Sequence, residues 1–365
     1  MKVIAQTAAL QEALALAGSI VATRTPKPVL QCVKLIAANK MLTLLSTDLE
    51  VGCRFQVAAV EVQEEGEALA PADRLGAIVR ESDDESITLA KEKEALVVRG
   101  ASSRFKVFGY DPGEYPAVAE FGEAADFQIS SSVLAKMIGK TLFATAKAHS
   151  HYAISGVLWE ASGKRLQLVA TDGHRLAQAK GTLAKAAGKD VTAIVPGKLM
   201  GLIQRIAAAA DEMLDVRIME NQILVRTSRA TLSSSLVQGN FPKYGDVIPK
   251  ECSRKATINT MQFEHRLRQA ALLTNEESRG VRLSFKSDKV TLSSRAAETG
   301  EAEVNCPMTL EGEAMDIAFN PQFLLDALKV CETDQVSLEM MASNKPAVIK
   351  AGPEFLYVLM PVDLG

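Results

Sequence analysis

A segment of 17 residues, CVKLIAANKMLTLLSTD from Cys32 to Asp48, returns twice without a gap. GVLWEASGKRLQLVATD runs from Gly156 to Asp172, and GVRLSFKSDKVTLSSRA from Gly280 to Ala296, a step of 124 residues each time. Few residues are identical between copies, but apolar, turn and hydroxyl positions coincide. A fixed period of this kind means one folded unit used three times. A second marker keeps nearly the same phase: Pro71, Pro196 and Pro321 are spaced by 125 residues. Each stands before a stretch with apolar residues at helical spacing: Leu75 and Ile78, Met200 and Ile203, Leu325 and Leu328. Proline is tolerated in the first helical turn, where its missing N–H would be unpaired anyway, so these prolines are expected there.

A helical-period stretch also opens each unit, over 8–17, 132–143 and 261–273. Between the helices the chain alternates as strands do. Leu30 to Ala37 and Met41 to Leu45 flank the turn Asn39-Lys40, and Ser162-Gly163-Lys164 and Lys286-Ser287-Asp288 mark the same turn later. Further strands close the units at 86–89, 95–99 and 104–108, then at 216–218, 223–226 and 231–237. The expected class is α+β, with helices on one face of antiparallel sheets. The expected domains are 1–120, 126–248 and 254–365, each of about 120 residues and able to bury its own core. The connectors pair an aromatic residue with proline: Tyr115-Pro116 after unit one and Phe241-Pro242-Lys243-Tyr244 after unit two. Unit three stops at Met360-Pro361-Val362-Asp363-Leu364-Gly365, as expected if no further unit follows.

No apolar run reaches the roughly 20 residues of a membrane helix. The N-terminal segment looks superficially like a signal peptide, but Gln6, Gln11 and Glu12 interrupt it and it fills the register of the first unit. Five scattered cysteines without CxxC spacing are expected to be reduced, in a cytoplasmic protein.

Catalytic signatures are weak. Gly139-Lys140-Thr141 resembles the end of a phosphate loop, but position 134 is leucine where that loop needs glycine. Four histidines (His149, His151, His174, His265) are too few and too scattered for a histidine-rich metal site. No enzyme activity, cofactor or metal is expected. A hydrolase using Asp172 and His174 is the reading to be weighed against a binding protein.

The net charge of −3 excludes a chain that coats nucleic acid by bulk electrostatics. Its charges are nonetheless segregated. Acidic residues cluster at 61–67, 81–85 and 298–303, whereas lysine and arginine recur on the predicted helices. On charge alone, solvated helix faces and a nucleic-acid face remain equally open.

The repeat, the run Thr171-Asp172-Gly173-His174-Arg175-Leu176-Ala177, Phe241-Pro242-Lys243-Tyr244, Asn275-Glu276 leading into Arg279-Gly280-Val281-Arg282-Leu283, and the terminal Met360-Pro361 together resemble the bacterial sliding clamps, the beta subunits of DNA polymerase III. The resemblance spans the whole chain. It implies three tandem copies of the DNA-clamp fold and a head-to-tail homodimer. Six domains then form a ring, with helices lining the hole and antiparallel sheets outside. Such a ring encircles double-stranded DNA without reading its sequence. It tethers the polymerase III alpha subunit, the clamp-loader delta subunit and other clamp-binding-motif proteins. A modestly basic lining suits sliding, because a strongly basic one would stick.

Carried onto this chain, the resemblance implies DNA-facing roles for Arg24, Arg80, Lys198 and Arg205. It implies a dimer interface of Phe105 and Val107 against Leu272 and Leu273, with Arg74, Arg99 and Arg104 facing Glu298, Glu301 and Glu303. It implies a partner-peptide cleft of Ile154, Thr171, Gly173, His174, Arg175, Leu176, Pro242, Val247, Phe323, Val358, Met360, Pro361 and Val362. Two departures concern the cleft: Asp363-Leu364-Gly365 extends the end where the family often has arginine, and His151 replaces a frequent arginine at the rim. A non-annular three-repeat scaffold that binds proteins alone is the alternative reading.

Overall fold

A computed structural model describes residues 1–122, 124–146, 153–207, 211–274, 280–296 and 300–364. The His149 and His151 positions, Asn275-Glu276, Arg279 and the predicted interface residue Glu298 lie outside these. Among the described residues six α-helices form: α1 (Thr7–Gly18), α2 (Ala72–Arg80), α3 (Ser131–Gly139), α4 (Gly197–Ala207), α5 (Thr260–Ala271) and α6 (Pro321–Lys329). They fall two to a repeat, at the places where the apolar spacing put them.

The helix details differ from the expectation in three ways. Pro321 is the first residue of α6, but Pro71 and Pro196 end the strands Gly66–Pro71 and Val191–Pro196. Pro71 is extended (φ −55°, ψ 124°) and acts as the N-cap of α2. A fixed φ suits either place, so sequence spacing alone does not separate them. The buried stripe is also rotated: α2 buries Leu75 and Val79 rather than Ile78, and α6 buries Leu324 and Leu328 rather than Leu325. A four-residue step returns to the same face of a helix, so these pairs point together into the core. The helix predicted over 132–143 ends at Gly139. Beyond it the Thr141 hydroxyl bonds the Met137 carbonyl at 2.9 Å and Leu142–Ala144 tightens into a 3-10 turn.

The hairpins form as predicted. Asn39 and Lys40 both take positive φ (51° and 61°), the mirror-image turn whose twist matches paired strands. Cys32–Ala38 then pairs with Met41–Thr47, and Gly156–Ser162 with Arg165–Thr171.

Compactness divides the described chain differently from the repeat. One compact unit comprises Met1–Ile129 and Glu212–Leu236; the other comprises Ser130–Asp211 and Val237–Gly365. The cause is strand pairing across repeats. In the first unit, Ala230–Ser235 of repeat two pairs antiparallel with Val51–Val57 of repeat one, completing an eight-stranded sheet. In the second, Arg175–Thr182 of repeat two pairs with Phe355–Leu359 of repeat three within a twelve-stranded sheet. The first unit also holds a five-stranded sheet that ends at the edge strand Arg104–Phe108.

Within each repeat the two helices pack on each other, and α1, α3 and α5 also pack on their sheet. The cores are built mainly of apolar side chains. Phe127 is fully buried in the first unit, and Trp159, Phe263, Phe285, Phe319 and Phe355 in the second. Each contributes on the order of 1.5–3 kcal/mol of hydrophobic stabilisation. Trp159 directs its indole N–H at the Met200 sulfur at 3.2 Å, so this ring is not left with an unpaired donor.

Candidate functional site

An apolar groove opens in the second compact unit. Its lining comes from three segments far apart in sequence: the turn from Thr171 to Leu176, the connector from Pro242 to Val247, and the strand end Val358 with Met360; Ile154 closes one side. Its volume is about 160 Å³. Leu176 and Val358 are buried in the floor, whereas Val247 and Met360 stand half in solvent. Strand register makes the groove: Leu176 lies opposite Val358, and the Met360 N–H donates to the His174 carbonyl at 2.9 Å.

The turn is built to hold its shape. Asp172 Oδ1 accepts from the amides of His174 (3.0 Å) and Arg175 (3.1 Å). The Thr171 hydroxyl donates to the Arg175 carbonyl (2.7 Å) and accepts from the Gly173 amide (3.1 Å). Gly173 has φ +90°, a conformation that costs glycine little and other residues more. These bonds give the run Thr171-Asp172-Gly173-His174 a conformational role. His174 is a wall of the groove.

Of the thirteen predicted cleft residues, ten line the groove. Phe323, Pro361 and Val362 do not. Phe323 lies beside it, its ring 4.4 Å from the Arg175 guanidinium. Val362 is tied to the neighbouring strand by its N–H to the Ala318 carbonyl (2.9 Å). Lys243 and Tyr244 line the groove and were missed as site residues. The aromatic-proline connector was the available signal for Tyr244. Its hydroxyl donates to Glu160 (2.6 Å) and accepts from Gln167 (2.6 Å). Burial, and then the Glu160 carboxylate, push the phenol above its ordinary range.

The corresponding place in repeat one is filled. Cys32, Leu45, Leu69, Tyr115 and Val118 form a buried cluster there, and the Tyr115 hydroxyl accepts from the Thr47 amide (3.0 Å) while donating to the Cys32 carbonyl (3.2 Å). The repeat period places Gly52 where repeat two has Leu176, and Val118 of the connector occupies the space beside it. A larger cavity of about 530 Å³ follows the seam of α1 and α2. Its helix positions include Ala15, Gly18, Gly76 and Ala77, too small to close the seam, with Arg80 among the lining.

Arg24, Arg80, Lys198 and Arg205 are all exposed. Arg24 stands in the loop after α1 and Arg80 at the end of α2, 3.6 Å from Glu81. Lys198 and Arg205 are seven residues apart on α4, hence on one face.

Two strand edges carry opposite charge. Arg104–Phe108 is the outer strand of its sheet, with Arg104 and Lys106 exposed. Gly300–Glu311 pairs along its first half with Lys289–Ala296 alone among the described strands, with Glu301 and Glu303 exposed. Phe105 is 44% exposed, whereas Val107 is only 8% exposed and packs within its own unit. Phe108, 76% exposed, lies on the other face of the strand under the Lys106 ammonium. At the end of α5, Leu272 is 80% exposed and Leu273 half-buried. Within the chain, Arg99 and Arg104 both bind Glu92 and Arg74 lies by Asp73.

No group of three His, Cys, Asp or Glu side chains that could hold a metal ion occurs among the described residues. Three repeats of helices on antiparallel sheet, joined edge to edge and carrying an apolar groove beside the junction of repeats two and three, define a protein of the DNA-clamp fold. Comparison with known proteins agrees over the whole length. The profile described as "DNA polymerase III beta subunit, N-terminal domain" matches residues 1–119; the central-domain and C-terminal-domain profiles match 128–243 and 245–363. The beta sliding clamp of Pseudomonas aeruginosa is 31% identical over 362 residues, 98% of this chain and 99% of that one. That of Chlamydia muridarum is 30% identical over 347 residues, covering 95% and 94%. Among solved structures, the DNA polymerase sliding clamp of Bacillus subtilis superposes with a TM-score of 0.96 at 25% identity, covering 100% of both chains. The DNA polymerase III subunit beta of P. aeruginosa does so with 0.94 at 31% identity, again covering 100% of both. The chain belongs to the DNA polymerase III beta subunit family, the bacterial sliding clamps.

Proposed function

We infer that this chain is the ring-forming processivity clamp of a replicative DNA polymerase. It encircles duplex DNA and tethers the polymerase and other replication and repair proteins to it. Persistence then comes from topology, since a closed ring leaves circular DNA only by opening. The carrying observation is the combination of whole-length family membership with the apolar groove formed by Thr171–Leu176, Pro242–Val247, Val358 and Met360.

In this reading two copies join head to tail, which suits the opposite charge of the two unpaired strand edges and the exposed Phe105 and Leu272. The domains are 1–120, 126–248 and 254–365. Arg24, Arg80, Lys198 and Arg205 meet phosphates weakly enough to slide. The groove takes short extended peptides of the polymerase III alpha subunit, the clamp-loader delta subunit and other clamp-binding-motif proteins. Aliphatic and methionine side chains adapt to such varied ligands. The protein supplies no chemistry and works in the cytoplasm, in keeping with free thiols at all five cysteines. No helix among the described residues is long and apolar enough to cross a membrane.

Retention on nicked circular DNA after loading, followed by loss on linearisation, tests the reading. Equal retention on both forms would contradict it.

A further inference from the structure

The Arg175 side chain is held from three directions within the second compact unit. Its Nε donates to Asp172 Oδ2 at 2.9 Å, one terminal nitrogen to Asp326 Oδ2 at 2.6 Å, and the other to the Phe143 carbonyl at 2.8 Å. Phe323 lies with its ring centroid 4.4 Å from the guanidinium carbon and Phe143 at 5.5 Å. The Tyr357 hydroxyl donates to the Phe323 carbonyl at 3.0 Å, tying that ring's backbone to the strand beneath. Side-chain exposure is only 11% for Arg175 and 24% for Asp326. A planar fork with fixed donors is oriented by such a set, as a lysine would not be. Burial pulls the Arg175 guanidinium downward, but Asp326, Tyr357 and Asp172 together outweigh it and hold the group above its ordinary value.

The three anchors belong to different parts of the fold. Asp172 is in the groove-forming turn, Phe143 follows α3 of repeat two, and Asp326 and Phe323 sit on α6 of repeat three. Asp326 also accepts from Gln322 on its own helix at 2.6 Å, which fixes the carboxylate before it reaches Arg175. The linked turn supplies one wall of the groove, and the His174 carbonyl on it holds Met360 of the other wall.

We propose that Asp326 is a positioning residue for partner binding: acting through Arg175, it locks the Thr171–Leu176 wall to α6 so that the groove holds its width before a peptide arrives. The inference rests on the groove being the partner site. Asp326 lies outside the groove lining, so its effect on affinity is transmitted rather than made by contact. An unlocked turn must be ordered at the moment of binding, and that cost appears as weaker affinity.

The test uses full-length dimer and immobilised polymerase III alpha subunit. Asp326→Asn is expected to weaken binding by roughly five- to tenfold. It should also speed amide exchange at Gly173 and His174 in the free clamp and leave the sedimentation mass unchanged. Asp326→Glu, which keeps the charge, is expected to recover part of both effects; it carries the test alone if Asp326→Asn does not fold. A helix-packing role alone would raise exchange in α6 and leave the turn protected. Unchanged affinity in the variant, with wild type binding normally, would overturn the inference while leaving the groove reading intact. Failure of wild-type clamp to bind the alpha subunit would overturn both.

Discussion

Val118 fills the space that a side chain on Gly52 would need: a Cβ there would lie 2.9 Å from Val118 Cγ1 and 2.8 Å from Ser233 Oγ. In repeat two the same position is Leu176, which fills the floor with its own side chain, and the connector forms a wall of the groove. The Gly52–Leu176 difference between repeats thus accompanies a sealed connector in one and an open groove in the other. Gly52→Leu is expected to destabilise the first compact unit by about 1–3 kcal/mol through overpacking. Its unfolding midpoint in urea falls, and Val118→Ala in the same chain recovers part of the loss. An unchanged midpoint in the single variant would refute the packing argument.

Leu272 is 80% exposed in the single chain, so its replacement costs the protomer little. Leu272→Ala with Leu273→Ala is expected to yield mostly monomer, with circular dichroism unchanged. An unchanged dimer mass in sedimentation would remove α5 from the ring interface.

Contacts that permit sliding are few and replaceable. Each of Arg24→Ala, Arg80→Ala, Lys198→Ala and Arg205→Ala is expected to weaken binding to short duplexes and to flatten its salt dependence by about one unit of slope per lost phosphate contact. Retention on nicked circles at moderate salt persists, because the closed ring and not the charge keeps the clamp there. A variant with full wild-type salt slope would mark that residue as facing away from DNA.

Alkaline lability follows from the buried thiols. Burial pushes Cys53 from 9.0 up to about 12. Burial, aided by the Asp73 charge, pushes Cys32 up to about 11. The fold therefore prefers the protonated form. Stability from this source is full below pH 9, where unfolded thiols are still protonated, and falls as pH rises toward the folded values. Urea midpoints measured at pH 8, 9 and 10 should fall, and fall less steeply for Cys53→Ala. Parallel slopes in the two proteins would exclude the thiol as the cause.

The repeat, six helices and the hairpin turns were readable from residue order because they depend on local periods of 3.6 and 2 and on turn chemistry. Asn39-Lys40 and Gly163 needed no distant partner to specify a reversal. The Thr171-Asp172-Gly173-His174-Arg175 run was also visible as a motif. The acidic stretch around Glu301 and Glu303 stood out as a charge pattern, whereas Arg104 entered only through the family resemblance and Lys106 carried no signal, and the edges that hold them were not predictable.

What tertiary structure alone decided is which distant segments share a surface. Pairing Arg175 with Leu359, 184 residues on, brings Val358 and Met360 to the turn. The same packing adds Lys243 and Tyr244 to the lining and leaves Phe323 beside the groove. It also splits repeat two between two compact units, since its strands find partners in both neighbours. Neither the Asp326–Arg175 link nor the Val118–Gly52 fit has a sequence signature. A period repeats what each unit does alone; a groove and its supports depend on which faces meet, and that is settled by packing.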